Sequence, residues 1–328
     1  MNIRLSLGSA VMLGLREAKM DAQPTTLYAM IGETCVGACQ FCAQARDSEA
    51  GSKYLSRVVW PEFNLDTVIE TLQTRTTTLR RICLQTLRDP HLIADLLAAV
   101  EAFHAVTALP ISICMNPVDR PTLVRLKEAG VDRVGVGLDC ATRATFERIK
   151  PGFSWERYHR FIDDIIDVFG TAAIHLIVGL GDSDEAIIRR IQTCHDRRCY
   201  VALFAYTPVR GTHLALPPPA VGRYRALQLL RDLISRNQAR LTDMQFRDGK
   251  LVSIDVADEL VEPTLETGRP FRTSGCPDCN RPLYNERPGG TMYNYPVPLE
   301  AEERARVREE LATYLNVDTQ PTRKGEAQ

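Results

Sequence analysis

Three closely spaced cysteines have the residue type and spacing of a metal site. Cys35, Cys39 and Cys42 form a C-x3-C-x2-C pattern, with an aromatic residue, Phe41, directly before the third cysteine. Thiolates are soft ligands that select iron–sulfur clusters or zinc over harder metals. Three thiolates bind three irons of a cubane cluster, so the fourth iron is left open to a small molecule. A zinc site and three unrelated thiols are the alternatives, although zinc cysteines usually come as two C-x2-C pairs.

This motif resembles that of the radical S-adenosylmethionine (SAM) superfamily. The resemblance implies that Cys35, Cys39 and Cys42 bind a [4Fe–4S] cluster and that Phe41 belongs to the cofactor-binding residues. In that superfamily the open iron binds SAM, and one electron from the reduced cluster cleaves SAM to a 5′-deoxyadenosyl radical.

Two further segments resemble SAM-binding residues of biotin synthase-like enzymes. The segment from Ile177 to Asp182 contains Gly179 and Gly181, and glycines let the backbone approach a ligand closely. The resemblance implies that these residues contact the adenine of SAM, although the related enzymes usually have Glu at the last position. Asp139, at the end of a predicted strand, is implied to accept hydrogen bonds from the ribose hydroxyls. Capping of the following helix is the alternative role for Asp139.

Four more cysteines are candidates for a second cluster. Cys83 and Cys114 end consecutive predicted strands, and Cys276 and Cys279 form a C-x2-C knuckle. We hypothesise that the knuckle folds back over the barrel mouth and joins Cys83 and Cys114 around an auxiliary iron–sulfur cluster. In biotin synthase the strand-end cysteines act with a third cysteine, and Ala173 occupies about that position here. A structural zinc, a redox pair and buried core thiols are the alternatives.

Short apolar runs alternate with amphipathic stretches along most of the chain, which predicts strands spaced by helices. The predicted strands are 27–31, 81–84, 110–114, 131–138, 172–178 and 200–206. The predicted helices include 121–129, 155–169, 184–195 and 221–236. Such alternation implies parallel β-α units. The sequence therefore predicts an α/β fold, a partial or full TIM-type (β/α) barrel of the radical SAM kind, with its chemistry at the C-terminal ends of the strands.

Three regions are predicted along the chain. Residues 1–260 are expected to form the barrel, with an N-terminal helix in the apolar run from Leu5 to Leu15. Residues 261–315 are expected to form an irregular C-terminal segment that contains the knuckle and a short helix. Residues 316–328 are expected to be a disordered tail. Before the second region, Asp-Gly within 246–250 predicts a β-hairpin.

Composition narrows the class of protein. The chain has 328 residues, 45% of them hydrophobic, and a net charge of −1 without a dense basic stripe, which disfavours a nucleic-acid partner. Ten cysteines are too sparse for a disulfide scaffold and suit a reducing compartment. No window has the apolar length of a membrane span. A cytoplasmic location without membrane association is therefore expected.

The C-terminal run from Cys276 to Pro296 resembles the two-component radical SAM lipoyl synthases, which are pairs of proteins that act together. The resemblance implies sulfur insertion into a protein-bound octanoyl chain during lipoyl cofactor biosynthesis. It also implies three partners: a sister radical SAM subunit, an octanoylated carrier domain, and a ferredoxin or flavodoxin electron donor. Leu84, Leu138 and Phe204 are predicted to line the barrel mouth and to suit the apolar chain.

Two other functions are compatible with the sequence. Biotin synthesis, or another radical SAM reaction that uses an auxiliary iron–sulfur cluster, is the first alternative, and the missing strand-five cysteine and the added knuckle argue against biotin synthase itself. The second is a non-catalytic metal-binding interaction protein. Cleavage of SAM under reducing, anaerobic conditions separates the enzymes from the binding protein.

Overall fold

An eight-stranded sheet with helices between its strands forms the body of the protein. The computed structural model describes residues 1–75, 77–282, 286 and 289–316. Among these residues the strands are β1 (Asn2–Leu5), β2 (Thr26–Ile31), β3 (Tyr54–Leu55), β4 (Val58–Val59), β5 (Glu62–Asn64), β6 (Arg81–Thr86), β7 (Ile111–Cys114), β8 (Val131–Asp139), β9 (Ala173–Val178), β10 (Tyr200–Ala205), β11 (Met244–Arg247) and β12 (Lys250–Ile254). The α-helices are α1 (Leu7–Met12), α2 (Leu65–Thr74), α3 (Leu92–His104), α4 (Arg120–Glu128), α5 (Arg143–Ile149), α6 (Trp155–Phe169), α7 (Asp184–Asp196), α8 (Val221–Ser235), α9 (Asp258–Glu266) and α10 (Ala301–Asn316).

Six strands of the large sheet run parallel and are joined by helices. The strand order is β10-β9-β8-β7-β6-β2-β1-β5, and β1 and β5 are antiparallel at one edge. Parallel strands need crossover connections, which the helices supply. The predicted α/β fold with a partial TIM-type barrel is confirmed.

Side-chain alternation along the parallel strands decides which residues face the barrel interior. Cys83 is in register with Tyr28 on one side and Ser112 on the other, so these three side chains share the interior face. Leu84 follows Cys83, points to the other face and is fully buried in the core. Leu138 is equally buried, beside residues of α6 and α7. The prediction that Leu84 and Leu138 line the barrel mouth is therefore wrong.

The N-terminal apolar run forms a strand and a short helix instead of one helix. Arg4 and Leu5 pair with β2, and the same strand also pairs with β5. The helix α1 begins only after Ser6, whose side chain accepts a hydrogen bond from the Ser9 backbone N–H. The backbone of the first residues is thus used to extend the sheet.

The C-terminal part packs on the outside of the barrel through α8. The predicted hairpin is confirmed as β11 and β12, while α9 lies in a stretch for which no helix is predicted. Arg225 of α8 is buried, and it donates to Glu310 of α10 at 2.8 Å and to the backbone oxygen of Tyr293 at 2.7 Å. The boundaries at residues 260 and 315 stay predictions. Of the predicted tail, Asn316 ends α10, and 317–328 lie outside the described residues.

Candidate functional site

The loop after β2 carries the first three cysteines and is tied to several elements. Gln44 is buried, donates to the backbone oxygen of Ser52 at 2.7 Å, and accepts from Arg4 at 3.1 Å. The backbone of Gln40 joins the loop to the end of α5 and to the segment after β10. These bonds hold the loop at the C-terminal end of β2. In TIM-barrel enzymes the active site lies at this end of the strands.

The three thiols fit a cluster that binds them as thiolates. Backbone N–H groups point at two sulfurs: Gly37 N lies 3.4 Å from Cys35 Sγ, and Gln44 N lies 3.4 Å from Cys42 Sγ. A Cβ at Gly37 would stand 2.9 Å from the Phe153 ring and 3.4 Å from Cys35 Sγ, so the loop needs glycine there. N–H donors stabilise the anionic sulfurs that metal binding requires.

Burial keeps the Cys39 and Cys42 thiols protonated in the absence of metal. It raises the pKa of Cys39 to about 12 and that of Cys42 to about 11, and the neighbouring thiols add to the rise. The Lys150 ammonium acts in the opposite direction on both. Binding of metal therefore releases protons from this loop.

A buried ion pair stands next to the three-cysteine loop. Asp139 ends β8 with a positive φ of 65°, and its carboxylate accepts a hydrogen bond from Lys150 Nζ at 2.7 Å. Lys150 also donates to the Gly137 backbone oxygen, and its Nζ lies 4.7 Å from the Tyr158 ring centre. Burial is the largest single influence on the pKa of Lys150 and lowers it, but Asp139, Tyr158 and Cys39 together outweigh burial and hold that pKa well above its usual range. Thr142 caps α5, so the alternative role of Asp139 as that cap is wrong.

A cavity joins the cysteine loop to the barrel interior. It encloses about 1200 Å³ of empty space, open mouth included. Its lining combines predicted site residues with residues that the sequence did not single out: Cys35, Cys39, Phe41, Cys42, Cys114, Asp139, Ile177 and Phe204 among the former, and Met30, Gln85, Lys150, Phe153 and Tyr206 among the latter. Phe204 is thus the one of the three predicted mouth residues that lines this cavity.

The glycine segment after β9 is only partly at the cavity. Ile177 lines it, whereas Gly179, Gly181 and Asp182 are absent from its described lining. The Asp182 carboxylate is buried and accepts hydrogen bonds from the Ala141 and Thr142 backbone N–H groups at 2.7 and 3.2 Å. Through these bonds Asp182 fixes the turn that follows Asp139. The contact between the segment from Ile177 to Asp182 and the adenine of SAM stays a prediction.

Cys83 and Cys114 lie at different depths on the interior face. Cys114 ends β7 and pairs with Gln85, so it is one step nearer the mouth than Cys83. Cys114 Sγ lies 3.6 Å from Nδ1 of His175, which also lines the cavity. Burial raises the pKa of Cys114 to about 12, and it raises that of Cys83 further, with added repulsion from Cys276 and Cys279.

The C-x2-C knuckle lies at the opposite end of the barrel from the one expected. The backbone oxygen of Pro277 accepts from Arg81, and that of Asp278 accepts from Thr26 at 3.0 Å. Arg81 and Thr26 are the first residues of β6 and β2, so the knuckle covers the N-terminal ends of the strands. The hypothesis that it folds over the barrel mouth is wrong. Its thiols instead approach Cys83 from the N-terminal end of the barrel, and Cys83 and Cys279 pack on one apolar cluster.

Sequence reasoning missed several residues that complete this interior. Lys150 follows α5 without a motif, and Arg281 follows the knuckle inside the C-terminal run. The Arg281 guanidinium lies 3.8 Å from the Phe204 ring centre and donates to the Ser274 backbone oxygen. The strand alternation that places Cys83 inside also places Tyr28 there, because the two residues are paired in register, and this signal could have found Tyr28.

Among the residues with described positions, no group of three or more His, Cys, Asp or Glu side chains is close enough to hold a single metal ion. A cubane differs because each thiolate binds a separate iron. In the same part of the chain no helix is both long and apolar enough to cross a membrane.

A partial (β/α) barrel with a three-thiol loop at the C-terminal ends of its strands defines a class of cluster-dependent proteins. Residues 30–194 match the radical SAM superfamily, which is about half of the chain. The protein therefore belongs to the radical SAM superfamily. The family implies a [4Fe–4S] cluster with SAM, and the donor set of the loop fits it.

Individual proteins are similar to this chain over part of their length. The chain is 32% identical over 108 residues to a biotin synthase from Sulfurihydrogenibium sp. (strain YO3AOP1), and the match spans 32% of each protein. Its fold is similar to that of methylornithine synthase, with a TM-score of 0.51, 14% identity, and coverage of 70% of this chain and 65% of that one. It is also similar to the FeFe-hydrogenase maturase HydG from Carboxydothermus hydrogenoformans, with a TM-score of 0.52, 12% identity, and coverage of 65% and 51%. These structures support the fold.

Proposed function

We propose that this protein is a radical SAM sulfurtransferase that inserts sulfur into a protein-bound octanoyl chain during lipoyl cofactor biosynthesis. The observation that carries the proposal is the presence of two separate sets of thiols on one barrel. Cys35, Cys39 and Cys42 stand at the C-terminal end, while Cys83 and Cys279 lie below, toward the N-terminal end. A sulfur-inserting enzyme needs one set for SAM and another for the sulfur source.

When reduced and loaded with SAM, the cluster supplies a 5′-deoxyadenosyl radical that removes a hydrogen atom from an unactivated carbon. The chain's own residues provide the surroundings. Lys150 and Asp139 place a fixed, buried charge pair beside the cysteine loop. Phe204 and Ile177 give the cavity an apolar side that suits an alkyl chain and excludes water. The protein thus binds and positions, and the cofactor carries the chemistry.

The second thiol set supports a sulfur source within reach of the cavity. Cys114 lines the cavity, and burial, Asp139 and Cys276 raise its pKa. Cys83 packs on the same apolar cluster as Cys279, and burial, Cys276 and Cys279 raise its pKa. We propose that these four cysteines hold a second iron–sulfur cluster, entered from the knuckle side.

The C-terminal run from Cys276 to Pro296 carries the resemblance to the two-component lipoyl synthases. Within it, 283–285, 287 and 288 lie outside the described residues. The proposal includes the partners of that system: a sister radical SAM subunit, an octanoylated carrier domain, and a ferredoxin or flavodoxin as electron donor.

The test is the iron and sulfide content of the anaerobically reconstituted chain and of its Cys35→Ala/Cys39→Ala/Cys42→Ala variant. We expect the variant to retain about four irons, as a second cubane requires. The complete chain, with a sister subunit and a reductant, is then expected to thiolate an octanoyl-lysyl peptide. A variant without iron would remove the sulfur source and overturn the proposal.

A second candidate follows from the match to biotin synthase. In that case the auxiliary cluster would serve biotin synthesis or another reaction, and the chain would cleave SAM without acting on the octanoyl peptide. Iron retained by the triple variant together with an unreactive octanoyl peptide would favour this candidate.

A further inference from the structure

Each sulfur of the knuckle has a tyrosine hydroxyl beside it. Cys279 Sγ lies 3.5 Å from the Tyr28 hydroxyl oxygen, and Cys276 Sγ lies 3.3 Å from that of Tyr200. The two tyrosines come from β2 and β10, the first and last of the parallel strands. Neither tyrosine belongs to a motif in the sequence.

The chemistry of a metal-bound thiolate decides the direction of these hydrogen bonds, because such a sulfur has no hydrogen to donate. The Tyr28 oxygen accepts the backbone N–H of Arg281 at 2.9 Å, so its own hydrogen is left for Cys279. The Arg133 guanidinium lies over the Tyr200 ring, 5.6 Å from the ring centre. At 3.3 Å the Tyr200 hydroxyl can therefore donate to the Cys276 thiolate.

We propose that Tyr28 and Tyr200 are positioning residues that donate hydrogen bonds to the metal-bound sulfurs of Cys279 and Cys276 and raise the reduction potential of the second iron–sulfur cluster. This inference rests on the proposed function, because it needs the second cluster to be present. Hydrogen bonds to cluster sulfurs withdraw electron density from iron and are a principal means by which proteins set cluster potentials.

A raised potential suits the proposed reaction. The substrate C–H bond breaks and its hydrogen atom leaves on 5′-deoxyadenosine, while the carbon forms a bond to a sulfide of the second cluster. The new C–S bond takes one electron from the carbon radical and one from the sulfide lone pair. The second electron of that lone pair passes to iron, which is thereby reduced. Donors at Cys276 and Cys279 make that iron easier to reduce.

The experiment uses the Cys35→Ala/Cys39→Ala/Cys42→Ala chain, in which the second cluster is the one observed. Tyr28→Phe and Tyr200→Phe are added singly and together, and the potential is measured by anaerobic titration. We expect each substitution to shift the potential to lower values, with the larger shift in the double variant. The iron–cysteine stretching frequency in resonance Raman spectra should rise as each hydrogen bond is lost.

Tyr224→Phe is the matched control, because Tyr224 is a buried tyrosine like Tyr28 and its hydroxyl donates to Asn294 at 3.0 Å rather than to a cysteine. An unchanged potential and stretching frequency in both variants would overturn the inference while the proposed function stands. If the Cys35→Ala/Cys39→Ala/Cys42→Ala chain binds no iron, the proposed function is overturned, and this inference with it. If one tyrosine variant fails to fold, the other decides, since each hydroxyl contacts a separate sulfur.

Discussion

At the scale of single residues, Lys150 and Asp139 form a buried ion pair in which each charge depends on the other. Both side chains are almost inaccessible to solvent, at 4% and 12% exposure. Desolvation of two charges is repaid only when each keeps its partner, so loss of one partner costs far more than the pair contributes. The ion pair therefore couples the stability of the fold to the geometry of the cofactor side.

Lys150→Met tests this coupling. It leaves the Asp139 carboxylate buried without its cation, so we expect the free energy of unfolding to fall by about 3–5 kcal/mol. Urea unfolding of the metal-free chain under reducing conditions measures it. Asp139→Asn added to Lys150→Met should recover much of the loss, because asparagine is neutral and tolerates the positive φ.

Lys19→Met is the control, since Lys19 is exposed. It should change the free energy of unfolding by less than about 0.5 kcal/mol. A loss of similar size in Lys150→Met and Lys19→Met would show that the buried pair carries no special energy.

At the scale of elements, local periodicity was enough for the barrel and not for what surrounds it. The α6 bounds follow directly from its apolar spacing and its Ser154 cap, and the parallel strands follow from buried runs between helices. The strand β1 depends on pairing with β2 and β5, which the run from Leu5 to Leu15 does not reveal. The knuckle is placed by bonds to Thr26 and Arg81, far away along the chain, so no local pattern indicates its end of the barrel.

The packing of α8 on α10 gives a prediction at this scale. A Cβ at Gly222 would overlap the backbone oxygen of Glu310 and stand 2.8 Å from Tyr314 Cβ. Alanine is the better helix former by about 1 kcal/mol, but overpacking costs about 1–3 kcal/mol. Gly222→Ala should therefore destabilise the chain and speed hydrogen exchange in α10, as measured by mass spectrometry. Arg306→Ala, at an exposed position of α10, should not; equal exchange in both variants would contradict a close helix contact.

At the scale of the whole molecule, the barrel carries cysteines at both of its ends. The loop with Cys35 stands at the C-terminal ends of the strands, and the knuckle closes the N-terminal ends, with the cavity above Cys83 between them. The polar anchors of the two ends differ: Gln44 bonds Ser52 in the loop, and Thr26 and Arg81 bond the knuckle. Cys35, Cys83 and Cys279 nevertheless pack on one apolar cluster. The proposed function requires that loss of the knuckle thiols leave the first loop intact.

Cys276→Ala/Cys279→Ala tests this requirement. The variant should lose the iron of the second cluster, keep about four irons on the first loop, and still cleave SAM to 5′-deoxyadenosine without forming a thiolated product. The measurements are iron content and chromatography of the nucleoside under reducing, anaerobic conditions. Cys194→Ala/Cys199→Ala, at two buried cysteines near the end of α7, is the control and should retain all of the iron. Full iron content in the knuckle variant would exclude Cys276 and Cys279 as ligands, and loss of SAM cleavage would show that the two ends of the barrel do not act independently.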